Sequence, residues 1–488
     1  MGPGPRAGLV GLLVASGISA AGTRVSVVAL PWLVLVTTGS AAQTGVIAFA
    51  EMLPYVLLQA LAAPLVDRFG GRRVSILCDA ASVVILGVTV VLYDTGGLPF
   101  WALCGLVALL GAVRGPGENA KHVLIPDIVT AAGLPLERGA GLLDGVSRAG
   151  SLVGLPLGGV LAATIGAGNA LLVDAATFGV AGVLILALVR VPRPAHARAA
   201  RPEGGSGVRG YVDDMREGLR FLVHDPLLRA IGLMVLATNL VDQAYTAVLL
   251  PVWAKTVFGS ATIIGLVGGA AGLGALVGNL IFSVIAHRLP RRITFAICFL
   301  VAGAPRFFLL AWTDSLVVIV TVVAVTSLSI GAINPLLGAA EFERIPERMR
   351  ARVLGAVGSL AWAGIPVGGL LGGWLASGVG ITWALVAFGT AYLVATLLPF
   401  FQPAWRLMDR DRTRPPGQPF SRRLRTAVAP ARAATSTTPT PPATAVVVPA
   451  PVVSPARDGA AEGAGDAVVE VDGPLDCPPT ASPQPRAG

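Results

Sequence analysis

Residues 30–72 read LPWLVLVTTGSAAQTGVIAFAEMLPYVLLQALAAPLVDRFGGR, and residues 250–292 read LPVWAKTVFGSATIIGLVGGAAGLGALVGNLIFSVIAHRLPRR. Shifted by 220 positions, the two stretches align without a gap at sparse landmarks: Leu30-Pro31 on Leu250-Pro251, Gly39-Ser40-Ala41 on Gly259-Ser260-Ala261, Gly45 on Gly265, Arg68 on Arg288 and Arg72 on Arg292. Each copy is a long apolar stretch ending in a short basic turn. A duplicated set of membrane-spanning helices, with a ligand site between the halves, is a common plan among secondary transporters.

Composition agrees. The chain has 488 residues, 54% hydrophobic and 13% charged, with a mean hydropathy of +0.75; soluble domains carry about 25% charged residues. A helix crosses the bilayer with about 20 mostly apolar residues, because only internal hydrogen bonding satisfies its backbone there. Twelve segments qualify, at 8–36, 43–66, 74–93, 98–118, 142–166, 168–190, 229–256, 262–286, 293–312, 315–338, 353–377 and 381–401. The first follows Arg6 as a signal peptide would, but its apolar run continues through Pro31-Trp32 without a cleavage site, so it is read as a retained span. The predicted fold is an all-α integral membrane protein with twelve transmembrane helices in two pseudo-symmetric six-helix bundles. These are residues 1–190 and 229–402, joined by a cytoplasmic linker at 191–228 and followed by a disordered Pro/Ala-rich cytoplasmic tail at 403–488.

The linker ends in YVDDMREGLRFLVHDPLLRAIG, where Met215, Leu219 and Leu222 follow helical spacing with charges between them, predicting a short amphipathic helix on the membrane surface. Alternate connections are basic: Arg68-Arg72-Arg73, Lys121, Arg138, the stretch 190–229, Arg288-Arg291-Arg292, Arg344 to Arg352 and Arg406 to Arg412. The other set (TTGSAAQ, YDTGGLP, KTVFGSA, WTDS, SGVGIT) holds only Lys255. The positive-inside rule places the basic set, and with an even span number both termini, in the cytoplasm of a cell membrane. The net charge of +9 sits largely in those loops and the tail, which fits topology and anionic lipid; no folded basic surface suited to nucleic acid is found. Cys78, Cys104, Cys298 and Cys477 have neither metal-ligand spacing nor a disulfide pattern.

The loop APLVDRFGGRRV (63–74) resembles the cytoplasmic signature of the major facilitator superfamily, G-x-x-x-D-R-x-G-R-[KR]: Asp67, Arg68, Gly70 and Arg72 match, Ala63 replaces the first Gly and Gly71 one basic residue. Its counterpart AHRLPRRI keeps Arg288 and Arg292 but has His287 in the acid's place. The resemblance implies a cytoplasmic gate, in which a carboxylate at a helix end bonds a facing helix N-terminus or an Arg and releases it on rocking; an ordinary topology-fixing turn is the alternative. In the fifth span GSLVGLPLGGVL resembles the superfamily's antiporter signature G-x-x-x-G-P-x-x-G-G through Gly150, Gly154, Gly158 and Gly159, with Pro156 one place late. The eleventh span repeats the pattern as GIPVGGLLGG. Close helix packing explains the same glycines equally well. VALPWLVLVTTGSA, RGPGENAKHVLIPDIV and EGLRFLVHDPLLRAI resemble the drug- and siderophore-exporting branch.

Ionisable residues within spans are expensive and therefore candidates for function. Arg24 lies 16 residues after Gly8, and Glu51 16 residues before Asp67, so both sit about 24 Å from the cytoplasmic face and an Arg24–Glu51 pair is geometrically allowed. Such a carboxylate could exchange its Arg for a proton or a cationic substrate; a static pair is the alternative. Asp242, about 20 Å into the seventh span, shares a polar patch with Asn239 and Gln243, read as cavity-lining or as interhelical hydrogen bonding. Arg114, seven residues before Lys121, is a further candidate for proton or substrate coupling, with snorkelling to the cytoplasm as the alternative. Asp144 and Arg148 form an i, i+4 pair near the cytoplasmic end of the fifth span.

No Walker-type phosphate loop, HExxH, GxSxG or Cys/His cluster occurs, so neither an enzyme nor a metal or cofactor is expected. The resemblance implies a monomeric exporter of a small amphipathic organic compound, driven by protons through alternating access in the lipid bilayer. Glu51 and Asp242 are the proton carriers and Arg24 a counter-ion on this reading. An importer or facilitator, and a non-transporting receptor or scaffold using the tail, are the alternatives.

Overall fold

Each apolar run is helical in the computed structural model of the chain, which describes residues 4–60, 62–190, 208–286, 289–346 and 349–410. Twelve helices are long and apolar enough to cross a membrane: Arg6–Thr38, Ala41–Gln59, Gly71–Asp94, Phe100–Ala131, Leu136–Thr164, Ala167–Leu188, Pro226–Val257, Thr262–Ile285, Arg291–Trp312, Leu316–Arg344, Arg352–Val379 and Ile381–Phe401. They are spans 1 to 12, and all twelve expected segments are among them. No strand occurs among the described residues. Large apolar side chains on the outside, such as Leu77, Val84, Leu280 and Val284, are exposed, as suits helices solvated by lipid. The turns after even-numbered spans make a basic end of the bundle; those after odd-numbered spans make a neutral end.

The repeat is visible atom by atom. Gly39 ends span 1 at φ 70°, its N–H donating to the Leu35 carbonyl at 3.0 Å. Gly259 ends span 7 at φ 66°, donating to the Ala254 carbonyl at 3.0 Å. Left-handed backbone is cheap only for glycine. Gly39→Ala and Gly259→Ala should therefore each cost about 1 kcal/mol, and the two costs should add because the turns share no partner; thermal melts of the detergent-solubilised protein check both points.

Arg72 and Arg292 also play matching parts. Arg72 donates to the Leu186 carbonyl at 2.7 Å, at the end of span 6. Arg292 donates to the Pro399 and Phe400 carbonyls at 3.0 and 2.8 Å, at the end of span 12. Each guanidinium satisfies carbonyls left over at a helix C-terminus.

Glycines set how the helices cross. Cβ atoms added at Gly150 and Gly154 would come within 2.4 Å of the Gly17 and Ala21 carbonyl oxygens of span 1, and one at Gly158 within 2.8 Å of the Val25 Cα. Span 11 repeats this on span 7, Gly364 against the Leu236 carbonyl at 2.6 Å and Gly368 against that of Leu240 at 2.0 Å. One residue on from each row, the same helices touch the opposite half. Gly159 and Pro156 meet Gly265 and Gly269 of span 8, and Gly373 meets Gly45 of span 2. The landmarks Gly45 and Gly265 thus sit at the two equivalent crossings between the bundles, both toward the neutral end. Leu35, Ala48, Ala247, Val248 and Val252 form an apolar cluster joining the halves at that end.

The linker helix is Val208–His224; residues 191–207 lie outside the described ones. Its buried face differs from the one expected. Gly218, Phe221 and Leu222 are buried while Leu219 is exposed. A Cβ at Gly218 would meet the Arg352 carbonyl at 2.4 Å, and Glu217 pairs with Arg352. The helix packs on the start of span 11, which selects the glycine-containing face because only it permits so close an approach. Asp225 caps span 7, accepting from the Leu227 and Leu228 N–H groups at 3.0 Å, and pairs with Arg344 of span 10 at 2.7 Å.

The fold also runs past the boundary expected at 402. Pro403–Arg406 is a 3-10 turn and Leu407–Arg410 a helical turn. Trp405 is fully buried against Phe295, ring centroids 5.6 Å apart, and Asp409 accepts from the Arg292 N–H at 3.1 Å. Two apolar anchors, Trp405 and Met408, hold this segment down. Residues 411–488, the rest of the expected disordered tail, lie outside the described residues.

Candidate functional site

Near the middle of the first bundle three charges meet. Span 4 carries Arg114, whose Nη1 donates to Glu51 of span 2 at 3.0 Å while its Nη2 donates to Asp174 of span 6. Asp174 also accepts from Ser26 and, at 3.3 Å, from Thr177. Phe178 lies 5.2 Å from the guanidinium, face on. Side-chain exposure is 3% for Arg114, 0% for Asp174 and 12% for Glu51. Glycine makes the site possible: a Cβ at Gly111 would strike the Glu51 carbonyl at 2.0 Å, and one at Gly115 the Tyr55 carbonyl at 2.7 Å. Spans 2 and 4 are therefore close enough for a guanidinium to bridge them.

This arrangement corrects the Arg24–Glu51 pair. Span 4 packs closely on span 2, and its Arg114 takes the carboxylate. Arg24 instead donates from Nε to Ser151 of span 5 at 3.2 Å. Arg114 does not snorkel; it is buried in the triad. Lys121, expected in a basic loop, is also buried, bonded to Asp79 at 2.9 Å and to Ser19 at 3.1 Å. Sequence reasoning missed Asp174 and Asp79 as partners. Both were findable as lone acids in otherwise apolar stretches, LLVDAATF and SILCDAAS.

In the second bundle Asp242 pairs with Arg306 of span 9. The guanidinium stands 4.5 Å from the Tyr245 ring centroid, 5.2 Å from Phe307 and 5.9 Å from Tyr392. Aromatic faces anchor the cation, while the Asp242 side chain stays 40% exposed. A π-helical turn, Tyr245–Leu249, follows immediately. It precedes Pro251, which has no N–H to continue the α-helical ladder, and the widened turn absorbs that gap. Asn239 does not line space with Asp242: its amide donates to the Ala361 carbonyl of span 11 at 2.8 Å. Gln243 is half-buried beside span 11, its Cβ 3.2 Å from a Cβ placed on Gly368.

The gate motif is only partly visible. Gly70 is left-handed at φ 83°, Arg68 lies exposed over the Phe69 ring, and Arg72 stays within its own bundle; the Asp67 side chain lies outside the described residues. Of the antiporter-like motif, Gly150, Gly154 and Gly158 pack on span 1, and Pro156 and Gly159 on span 8. Asp144 and Arg148 pair at 2.7 Å, both more than half exposed.

On the basic-end side of the triad lies a polar cavity of about 180 Å³, with Arg24, Ser147 and Ser151 on one wall and Glu118, Lys121 and His122 on another. Tyr55 donates to Glu118 at 2.7 Å and stacks on Trp362 across the bundles, centroids 6.2 Å apart. Among the described residues no group of His, Cys, Asp and Glu could hold a metal ion.

Comparison with known proteins returns the same architecture. A family model described as Major Facilitator Superfamily matches residues 12–259 and 233–453. The chain is 33% identical over 401 residues to "Multidrug efflux pump Tap" of Mycobacterium tuberculosis, covering 82% of this chain and 94% of that protein. It is 29% identical over 408 residues to the protein of the same name from Mycolicibacterium fortuitum, covering 83% and 98%. Among solved structures, the nucleoside transporter NupG superposes with a TM-score of 0.64 at 14% identity, covering 83% of this chain and 99% of that one. An inward-facing bacterial homologue of the lysosomal transporter Spinster gives 0.63 at 15%, covering 84% and 99%.

Proposed function

The chain belongs to the Major Facilitator Superfamily and is a membrane transporter; from that premise we propose that it exports small amphipathic organic compounds by proton antiport. The observation that carries the coupling is the triad. Two carboxylates, Glu51 and Asp174, share one guanidinium, Arg114. Charge neutrality in a low-dielectric site leaves room for one more positive charge. Asp174 is fully buried and accepts from Ser26 and Thr177 as well as Arg114, whereas Glu51 has the Arg114 bond and some exposure. Glu51 is thus the group that trades Arg114 for a proton, and the proton is released when Arg114 returns. Asp242, exposed on one side and held by Arg306 on the other, is the second carrier and the contact for a cationic substrate.

The halves close on each other near the neutral end, while the polar cavity lies toward the basic end. That supports a cycle in which the bundles rock about spans 2, 5, 8 and 11. The basic end, and with it both termini, lies in the cytoplasm by the positive-inside rule. The multidrug efflux pumps among the relatives support export and a cell-membrane location.

Everted membrane vesicles acidified inside test this reading, with ethidium as the probe. Wild-type protein should accumulate the dye, and a protonophore should abolish accumulation. Glu51→Gln should lower pH-driven accumulation at least tenfold while preserving dye–dye exchange, which needs no net proton movement. Full pH-driven accumulation by Glu51→Gln overturns the carrier assignment. Dye movement by wild type only in the opposite sense overturns export.

A further inference from the structure

We propose that the cavity around Arg24 is a subsite for the anionic end of a zwitterionic substrate, a carboxylate or phosphate group on an otherwise cationic amphiphile. This deepens the exporter reading and rests on it. Among the described residues every other basic side chain near the middle of the first bundle has an acidic partner: Arg114 has Glu51 and Asp174, and Lys121 has Asp79. Arg24 has none within salt-bridge distance; its contact is the Ser151 hydroxyl at 3.2 Å through Nε. That bond leaves the two Nη groups, the forked edge that grips a carboxylate or phosphate with two parallel hydrogen bonds, without a protein partner, and Arg24 lines the cavity. Arg24 is exposed, unlike the buried Arg114 and Lys121, so its guanidinium is open to a ligand entering the cavity.

The walls fit such a ligand. Ser147 and Ser151 offer hydroxyl donors beside Arg24. Across the cavity Glu118 accepts from Tyr55 at 2.7 Å, which leaves its other oxygen and its charge for a cationic centre. The cavity is thus dipolar, guanidinium on span 1 and carboxylate on span 4, and it suits a molecule carrying both signs. Its size, about 180 Å³, is below the ~300 Å³ of a site that encloses a drug-sized ligand, so it takes one end of the substrate. The remainder of the substrate lies outside this cavity.

A matched pair of dyes tests the proposal: a rhodamine bearing a free carboxylate, which is zwitterionic, and its methyl ester, which is cationic. Binding to the purified full-length chain in detergent is read by fluorescence anisotropy, and export by the everted-vesicle assay. Wild type should bind the acid more tightly than the ester. Arg24→Gln should cut the acid-to-ester affinity ratio at least tenfold, and Arg24→Lys, which keeps the charge but loses the fork, should cut it less. Ser151→Ala, which frees the Arg24 side chain without removing its charge, should lower the ratio only severalfold and guards against misfolding of the Arg24 variants. An unchanged ratio in Arg24→Gln, or wild type indifferent to the carboxylate, overturns the subsite. Failure of the exporter reading looks different: it abolishes pH-driven movement of both dyes while leaving the binding ratio intact.

Discussion

Arg114→Gln should destabilise the protein by about 3–5 kcal/mol, the range for removing one member of a buried ion pair, and should abolish transport. The size follows from what the substitution strands. Asp174 is fully buried and Glu51 nearly so; without the guanidinium both carboxylates must stay charged in a low-dielectric site or take up protons. Ser26 and Thr177 can still serve Asp174, but hydroxyl donors bring no charge. Arg114→Lys should rescue only part of the loss, because one ammonium cannot span two carboxylates on different helices. The double variant Arg114→Gln with Asp174→Asn should recover part of the stability, since neutral amides replace one charge pair while Glu51 still lacks its partner, yet remain inactive. Thermal melts in detergent alongside vesicle export separate the two effects. A single Arg114→Gln variant that melts with wild type would mean that the triad is not a coupled charge unit.

The fold was legible because its signals are long and redundant. Twenty-residue apolar runs, alternating basic turns and a 220-residue repeat all point to the same twelve spans, and an error of a few residues in any one changes nothing. The repeat also marked positions of real consequence, since Gly39 and Gly259 became the left-handed caps and Gly45 and Gly265 the inter-bundle crossings. The site was less legible. Depth along a helix can be counted from sequence, but depth alone does not choose a partner: Arg24 lies beside Ser151 and Glu51 beside Arg114. Which helix stands beside which, and which face points where, depends on crossings set by glycines such as Gly111 and Gly115. Those bring span 4, not span 1, against Glu51. Asn239 and Asp242, three residues apart on one face, illustrate the same limit: one is spent on the Ala361 carbonyl and the other on Arg306. The linker helix was found, but its buried face was not, because Gly218 carries no hydrophobic signal although it makes the closest contact.

Valine at Gly45 and Gly265 should stop transport by changing which state is populated, whereas valine at Gly368 should stop it by preventing folding. All three positions lie against backbone. A Cβ at Gly45 would sit 2.5 Å from the Gly369 carbonyl oxygen, at Gly265 2.7 Å from that of Leu155, and at Gly368 2.0 Å from that of Leu240. Backbone cannot rotate aside, so the neighbouring helix has to move. At Gly368 the neighbour is span 7 of the same bundle, and no rocking of rigid halves relieves the clash. At Gly45 and Gly265 the neighbours belong to the other bundle, and parting the halves at the neutral end relieves it completely. Overpacking typically costs about 1–3 kcal/mol per site, and the two crossings are separate enough to add. The pair should therefore approach the ~5.5 kcal/mol that takes a two-state equilibrium from 1:99 to 99:1. Ala261, fully buried at the span 5–span 8 crossing, supplies the reporter. In a background lacking the native cysteines, an Ala261→Cys variant should be slow to react with a membrane-impermeant maleimide in the parent and fast in the Gly45→Val/Gly265→Val protein. The melting temperature of that protein should stay near the parent's, while Gly368→Val should melt far lower or fail to accumulate in the membrane. Equal unfolding by the inter-bundle and intra-bundle substitutions would mean that the two halves form one rigid body, and alternating access about these crossings would fall.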